Sequence, residues 1–325
     1  MSKNWRMIAA LFAVLALLTA ACGGSEGSAN EELGDGGGES GEGDGALSGS
    51  IEVDGSSTVA PLTDAIAEEY AAEAPDVVVN VGVSGTGGGF ERFCNGETDI
   101  SDASRPIKDE EAELCADAGV EFTELRVGTD ALTMVTSPET DWVDCLTLDE
   151  VTKIFGEEDP ATSWSDVRAD FPDEPLEVFA PGTDSGTYDF MVEDVLGVEA
   201  SRQDFNASED DNIIAQGVIG TPGSWGFFGF AYYQESADQL KALEYDAGDG
   251  CVAPSVETAQ DDSYKMTRPL FIYVKNESLQ RSEVAGFVTY YLDTVGSLID
   301  EVGYIGVPDE DLEAARTSLQ EAIGS

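Results

Sequence analysis

Three short stretches constrain the fold of this chain more than anything else in it. They are "DGSSTVAP" (Ser56, Ser57, Thr58), "VSGTGGGF" (Ser84, Thr86) and "GTDSGTYDF" (Thr183, Ser185, Thr187). In each, a β-type run gives way to glycine and small hydroxyl residues, and a helical apolar repeat follows. A chain that repeats strand, tight loop and helix start builds α/β units rather than a helix bundle or an all-β sandwich.

The intervening sequence agrees. "GSIEVDGSST" alternates as a strand, and "VAPLTDAIAEEYAAEAP" repeats at Leu62, Ile66 and Tyr70 before Pro75 closes the helix. "DVVVNVGVSG" reads as a buried strand, with a helix from about Gly87 carrying Phe90 and Phe93. "TDISDAS" is a short strand and "KDEEAELCADAG" a helix. Further on, "DALTMVTSPET", "PLEVFAP", "GSWGFFGF" and "YKMTRPLFIYVKN" read as strands, and "SEVAGFVTYYLDTVGSLIDEVGYIGV" returns through helix. This alternation predicts mostly parallel pairing. The length, 325 residues, fits two domains.

The N-terminus, "MSKNWRMIAALFAVLALLTAAC", has Lys3 and Arg6 ahead of an apolar run too short for a comfortable membrane span. That is the pattern of an export signal over residues 1–21. "LTAAC" resembles a bacterial lipobox, although Leu18 lies one place further from Cys22 than usual; it implies cleavage before Cys22 and lipidation of its thiol. Residues 22–50 are rich in Gly, Ser and acids, contain no base, and read as a disordered tether. Both features place the folded part outside the cytoplasm, held to the cell membrane.

Charge excludes some partners. The chain has 66 acids against 15 bases, a net −51, and losing Lys3 and Arg6 with the leader takes it to about −53. Such a surface repels nucleic acid and anionic head groups. It is the composition expected of a chain adapted to high salt, where screening shrinks to about 3 Å at 1 M. Apart from Cys22 there are four cysteines, which in an exported chain suggest two disulfides. Of the three possible connectivities, Cys94–Cys115 with Cys145–Cys251 is the favoured one, and the sequence leaves the pairing open. With no histidine and no CxxC spacing, neither a metal site nor a cofactor is expected.

The hydroxyl-rich loops carry the chemistry. The first N–H groups of a helix have no internal partner and sit at the positive end of the helix dipole, so they attract anions. Glycine lets an oxyanion approach the backbone, and hydroxyls donate without adding charge. Any one such loop is adequately explained as an N-cap; three in one chain point to a shared anion. "GTGGG" lacks the lysine and spacing of a P-loop, which disfavours a nucleoside triphosphate. In "TDISDASRPI", Asp102 and Arg105 are three apart at a strand end. They could form a simple surface ion pair. Alternatively, Arg105 donates to the anion while Asp102 accepts a hydrogen bond from a protonated oxygen, which would reject sulfate in favour of phosphate.

Taken together, "DGSSTVAP", "VSGTGGGFERFCNGETDISDASRPI", "PGTDSGTYDF" and "RPLFIYV" resemble the phosphate-binding (PstS-type) proteins of Pst phosphate ABC transporters, over about Ile51 to the C-terminus. The resemblance implies a two-lobed periplasmic-binding-protein fold of class II type, each lobe a mixed sheet flanked by helices. Two crossover hinge strands, near Arg126–Met134 and Arg268–Val274, would join the lobes. Lobe I would comprise 51–127 plus 274–325, and lobe II 128–273. Carried over by motif, Thr58, the N–H of Val59, Ser84, Gly85, Thr86, Asp102, Ser185, Gly186 and Thr187 would hold the ligand. Many relatives carry an arginine four residues before the Ser of "SGT", where this chain has Pro181. Arg105, or failing that Arg268, would supply the positive charge. The partners implied are inorganic phosphate and a membrane permease of the Pst type, with the binding protein acting as a monomer.

Other readings lead elsewhere. Ser185 as the nucleophile of a phosphatase or acyl transferase would need a base, and the chain has no histidine to serve. An enzyme is therefore not expected. A binding protein for sulfate, molybdate or tungstate is the nearer alternative, opposed by Asp102. A surface lipoprotein that keeps the fold and binds nothing tightly is the third.

Overall fold

The computed structural model describes residues 47–183 and 185–324. The export signal, Cys22 and the tether up to residue 46 lie outside the described residues. The tether ends earlier than the composition suggested, because Ser48–Gly55 already forms the first strand, β1.

The first part of the chain runs β1, α1 (Ala60–Glu73), β2 (Asp76–Val83), α2 (Gly85–Cys94), β3 (Ile100–Ala103), α3 (Asp109–Ala118) and a long β4 (Phe122–Thr136). Then come β5 (Cys145–Thr147), α4 (Leu148–Phe155), α5 (Trp164–Val167), β6 (Val178–Pro181) and α6 (Gly186–Asp189), which continues as π-helix through Phe190–Val195. After β7 (Asn206–Ser208), α7 (Asp211–Gly220), β8 (Trp225–Gly229) and α8 (Phe230–Glu235), the chain forms β9 (Lys241–Ala242), β10 (Glu244–Asp246), β11 (Cys251–Val252) and α9 (Val256–Gln260). It returns through β12 (Thr267–Lys275) and ends in α10 (Ser282–Leu298) and α11 (Asp309–Ile323).

Eight strands lie in the order β2-β1-β3-β12-β4-β8-β6-β7, with β9 also on β4, and a small sheet pairs β11-β10-β5. Pairing is parallel within β2-β1-β3 and within β8-β6-β7. At the centre it is antiparallel: β12 against β3 and β4, and β4 against β8. The mostly parallel pairing expected from the alternation therefore holds on the two flanks and fails in the middle. The reason is that β4 and β12 run in opposite directions between the flanks, one carrying the chain across and the other bringing it back.

Two hydrophobic cores sit on either side of this central pair. One gathers Ile51, Leu62, Ile66, Ile272, Phe287 and Tyr291 around α1 and α10. The other gathers Met134, Phe155, Trp164, Met191, Trp225 and Phe227. β12 shows how period-two alternation divides its residues. Leu270, Ile272 and Val274 enter the first core, while Phe271 and Tyr273 join Phe90, Phe93 and the Cys94–Cys115 disulfide on the opposite face.

Both expected disulfides are present, Cys94–Cys115 and Cys145–Cys251. The first ties α2 to α3 and the second ties β5 to β11. Their sequence separations are 21 and 106, worth about 3 and 4–5 kcal/mol respectively in loop-closure entropy. In urea unfolding of the oxidised protein, Cys145→Ala with Cys251→Ala should therefore cost more stability than Cys94→Ala with Cys115→Ala. The reverse order would mean that burial of the first bridge, and not loop length, sets its contribution.

Candidate functional site

The three hydroxyl loops come together from separate elements. A cleft of about 550 Å³ is lined by Ser56, Ser57 and Thr58 before α1, by Gly85, Thr86 and Gly87 at the start of α2, and by Gly186 at the start of α6. Ser104 and Arg105, just after β3, complete its wall with Lys108, and Arg268 enters from β12. The approach is close, since a Cβ placed on Gly186 would lie 3.1 Å from Thr58 Oγ1 and 3.6 Å from an Arg268 terminal nitrogen. Asp189, Glu193 and Asp194 add three carboxylates on the side of α6.

Local structure explains how these groups are held. Ser56 Oγ accepts from the N–H groups of Thr58 (3.2 Å) and Val59 (3.4 Å), capping the turn into α1. Tyr304 Oη donates to the Thr58 carbonyl at 2.8 Å. Thr86 Oγ1 accepts from the Ser104 N–H at 3.2 Å and lies 3.2 Å from Ser104 Oγ, which fixes two cleft hydroxyls against each other. Gly85 adopts φ +76°, a left-handed conformation that glycine supplies without strain.

The two arginines differ in how they are tied. Arg105 makes a bidentate pair with Glu111, at 2.7 and 2.8 Å, and its guanidinium lies 5.8 Å from the centre of the Phe90 ring. Arg268 donates Nε to Asp130 Oδ2 at 2.9 Å and Nη2 to the Gly186 carbonyl at 2.9 Å, and stacks 4.6 Å over Phe190. Arg268 and Asp130 are cross-strand partners in the β12–β4 register, and both side chains are buried. Both hydrogen bonds leave its guanidinium at the wall of the cleft.

Not every expected site residue reaches the cleft. Thr58, Gly85, Thr86, Arg105 and Gly186 line it; Val59, Ser84, Asp102, Ser185 and Thr187 do not. The Val59 N–H is turned to Ser56 Oγ. Ser84 donates to Asp54, which also pairs with Arg92. Ser185 Oγ accepts from the Thr187 N–H at 3.2 Å and serves as the cap of α6.

Asp102 differs most from expectation. Strand alternation sends it to the α1 side of β3, where it is fully buried. Its Oδ2 accepts from Thr63 Oγ1 at 2.9 Å, and its Oδ1 has no hydrogen-bond partner among the described residues. Burial pushes this carboxyl up to about 8, the Thr63 hydrogen bond pulls it down, and Asp64 and Asp54 add to the rise. The hydroxyl of Ser104, two residues on, occupies the wall that Asp102 was expected to line. Asp189 is a second carboxyl whose pKa is raised, by burial and by Asp194, against the pull of Arg268. In a chain with so many acids, nothing in the sequence marks Asp189, Glu193 or Asp194 as cleft residues. Ser104 was visible only as a hydroxyl after a strand.

Fold and site together define a protein of the periplasmic binding class. The family described as "PBP superfamily domain" matches residues 40–294, and the chain belongs to it. Within it the chain is a member of the PstS-type phosphate-binding family. It is 34% identical to "Phosphate-binding protein PstS" of Staphylococcus saprophyticus over 99% of this chain and 96% of that one. It is 47% identical to "Protein SphX" of Synechococcus elongatus over 82% of this chain and 80% of the relative. Among solved structures it resembles a possible phosphate binding protein from Planctomyces limnophilus, with TM-score 0.82 and 41% identity over 85% of this chain and 99% of the other.

The state of Asp102 has a measurable consequence. Unfolded, it titrates near its ordinary 3.8; folded, near 8. Between those values the folded chain holds a proton that the unfolded chain has lost, so this group's contribution to stability falls as pH rises. The stability of Asp102→Asn relative to the parent should therefore increase steadily from pH about 4 to about 8 and level off beyond. A difference independent of pH in urea unfolding would show that Asp102 ionises in the folded protein much as it does in the unfolded one.

Proposed function

We propose that this chain is an extracytoplasmic inorganic phosphate-binding protein, lipid-anchored through Cys22, which captures phosphate in the Thr58–Thr86–Gly186 cleft and delivers it to a Pst-type ABC permease. The observation that carries this is the convergence of three hydroxyl-and-glycine loops and one buried, cross-strand-paired arginine on a single cleft. The names of the relatives support the ligand. The family is one of substrate-binding transport proteins and not of enzymes. Among the described residues no helix is long and apolar enough to cross a membrane.

In this reading Thr58, Thr86 and Ser104 donate hydroxyls, the start of α6 at Gly186 offers backbone N–H, and Arg268 supplies the charge. Arg105 helps less, because both of its terminal nitrogens are committed to Glu111, whereas Arg268 meets Asp130 through Nε. Lobe I (51–127 plus 274–325) and lobe II (128–273) are the bodies that close, with β4 and β12 as the joint. Closure follows from tighter binding to the closed form, since phosphate then touches loops from both bodies. The carboxylate that accepts the phosphate proton is Asp189, because Asp102 is enclosed beneath α1. A deprotonated sulfate would present a lone pair to Asp189 and be rejected.

Titration with phosphate in high salt tests this reading. A charge-assisted hydrogen bond contributes about 1.5–3 kcal/mol, or roughly 10–100-fold in affinity. Arg268→Gln combined with Asp130→Asn, which removes both halves of the buried pair, should weaken binding by at least that range, and Arg105→Gln by clearly less. Asp189→Asn should retain phosphate and admit sulfate. If neither arginine variant changes phosphate affinity, the ligand lies elsewhere; if Asp189→Asn still excludes sulfate, another group makes the selection.

A further inference from the structure

Basic side chains are scarce in this chain, 15 against 66 acids, so each has carboxylates to pair with. Every arginine among the described residues sits in an ion pair. Lys153 and Lys241 do so with Asp159 and Asp144. Lys265 donates to the Asp262 carbonyl, and Lys275 lies over the Phe93 ring. Among the described residues, the Lys108 ammonium alone has no carboxylate, carbonyl or ring partner.

That lysine lines the anion cleft. It immediately precedes α3 and is exposed. Its backbone is fixed, since the Lys108 N–H donates to Glu111 Oε2 and the Ile107 N–H to Tyr273 Oη, each at 2.9 Å. Glu111 is the carboxylate placed to neutralise it, but both Glu111 oxygens accept from Arg105, at 2.7 and 2.8 Å. Asp109 and Glu110, next along the chain, are exposed and form no ion pair with it among the described residues. The cleft's other two bases differ in this respect, because Glu111 offsets the charge of Arg105 and Asp130 that of Arg268. An anion approaching the cleft therefore meets the Lys108 charge undiminished.

We propose that Lys108 is the capture residue of this cleft: its ammonium draws phosphate in from solution, and the hydroxyls and Arg268 then hold it. The inference rests on the reading of the cleft as the phosphate site. A solvated charge at the rim acts through a high dielectric, so it alters the rate of encounter and adds little to the bound complex. A buried, hydrogen-bonded charge governs how long the complex lasts. An ammonium on a flexible four-carbon stem suits the first role, being a compact point charge with three rotatable donors. The need for such a residue arises from the chain's own charge. A net −51 opposes the approach of phosphate, most strongly where salt is low. A local positive potential beside the cleft offsets that repulsion along the approach to the donors.

The test compares Lys108→Gln, Lys108→Arg and Lys153→Gln with the parent, all as the full mature chain. Inorganic phosphate is the probe, at about 0.1 M and about 1 M salt, where the screening length is roughly 10 and 3 Å. Calorimetry gives the affinity, chase of radiolabelled by unlabelled phosphate gives the dissociation rate, and the two together give the association rate. Lys153→Gln makes the same change in net charge at a lysine outside the cleft lining. At the lower salt, Lys108→Gln should slow association roughly 3–10-fold and leave dissociation unchanged. Lys108→Arg and Lys153→Gln should match the parent, and at the higher salt all four proteins should agree. Unaltered association in Lys108→Gln, an equal loss in Lys153→Gln, or a change carried by dissociation would overturn the capture role. Arg268→Gln with Asp130→Asn separates this role from the reading beneath it. If that variant binds phosphate as the parent does, the cleft is not the site; if it loses phosphate while Lys108→Gln changes nothing, only the capture role falls.

Discussion

The antiparallel pairing of β4 with β12 is the interaction on which the rest of this structure depends. These strands are 15 and 9 residues long, and they join the two parallel flanks of the sheet. Their register sets Arg268 opposite Asp130. A buried charge pair contributes little net stability over an apolar one, but losing one partner costs about 3–5 kcal/mol. Any slip in register would therefore strand two charges, and the pair acts as a lock on alignment. The same lock holds the Arg268 guanidinium where its other nitrogen reaches the Gly186 carbonyl. The pairing makes residues 130 and 268 neighbours, and the Arg268 hydrogen bond joins residue 186 to them.

From that constraint follows the electrostatic character of the cleft. The chain carries a net −51, a field that opposes capture of any anion from a distance. Three cationic side chains and three carboxylates line the cleft, and Glu111 and Asp130 pair with two of the cations, so bases are far more frequent there than in the chain as a whole. Attraction there comes from fixed donors at short range, which salt screens much less than it screens the surface charge. High salt thus removes the repulsive long-range part and leaves the attractive short-range part. An acidic surface and an anion ligand are compatible under those conditions, and the selectivity rests on hydrogen-bond geometry.

Much of this was legible in the sequence because it is local. Helix starts at "SGTGGG" and "DSGT" show in glycine and hydroxyl content, and the three loops do meet. The presence of two disulfides was legible too, while the choice among three pairings, which falls on the favoured one, was not fixed by spacing. What the sequence obscured is side-chain direction over one or two residues. Asp102 and Ser104 lie on the same short segment, but only the second lines the cleft, because pleating turns the first beneath α1. Arg268 was hard to rank, since its placement depends on a partner 138 positions away. Asp189, Glu193 and Asp194 carried no signal amid so many acids. The antiparallel centre of the sheet was likewise invisible, because strand direction is a property of the return path and not of composition.

A crystal structure of the mature chain with phosphate bound would decide between the two arginines. One phosphate is expected in the cleft, with Arg268 donating to it, the hydroxyls of Thr58, Thr86 and Ser104 around it, and Asp102 out of contact. A phosphate held by Arg105 and Asp102, with Arg268 engaged only with Asp130, would contradict it.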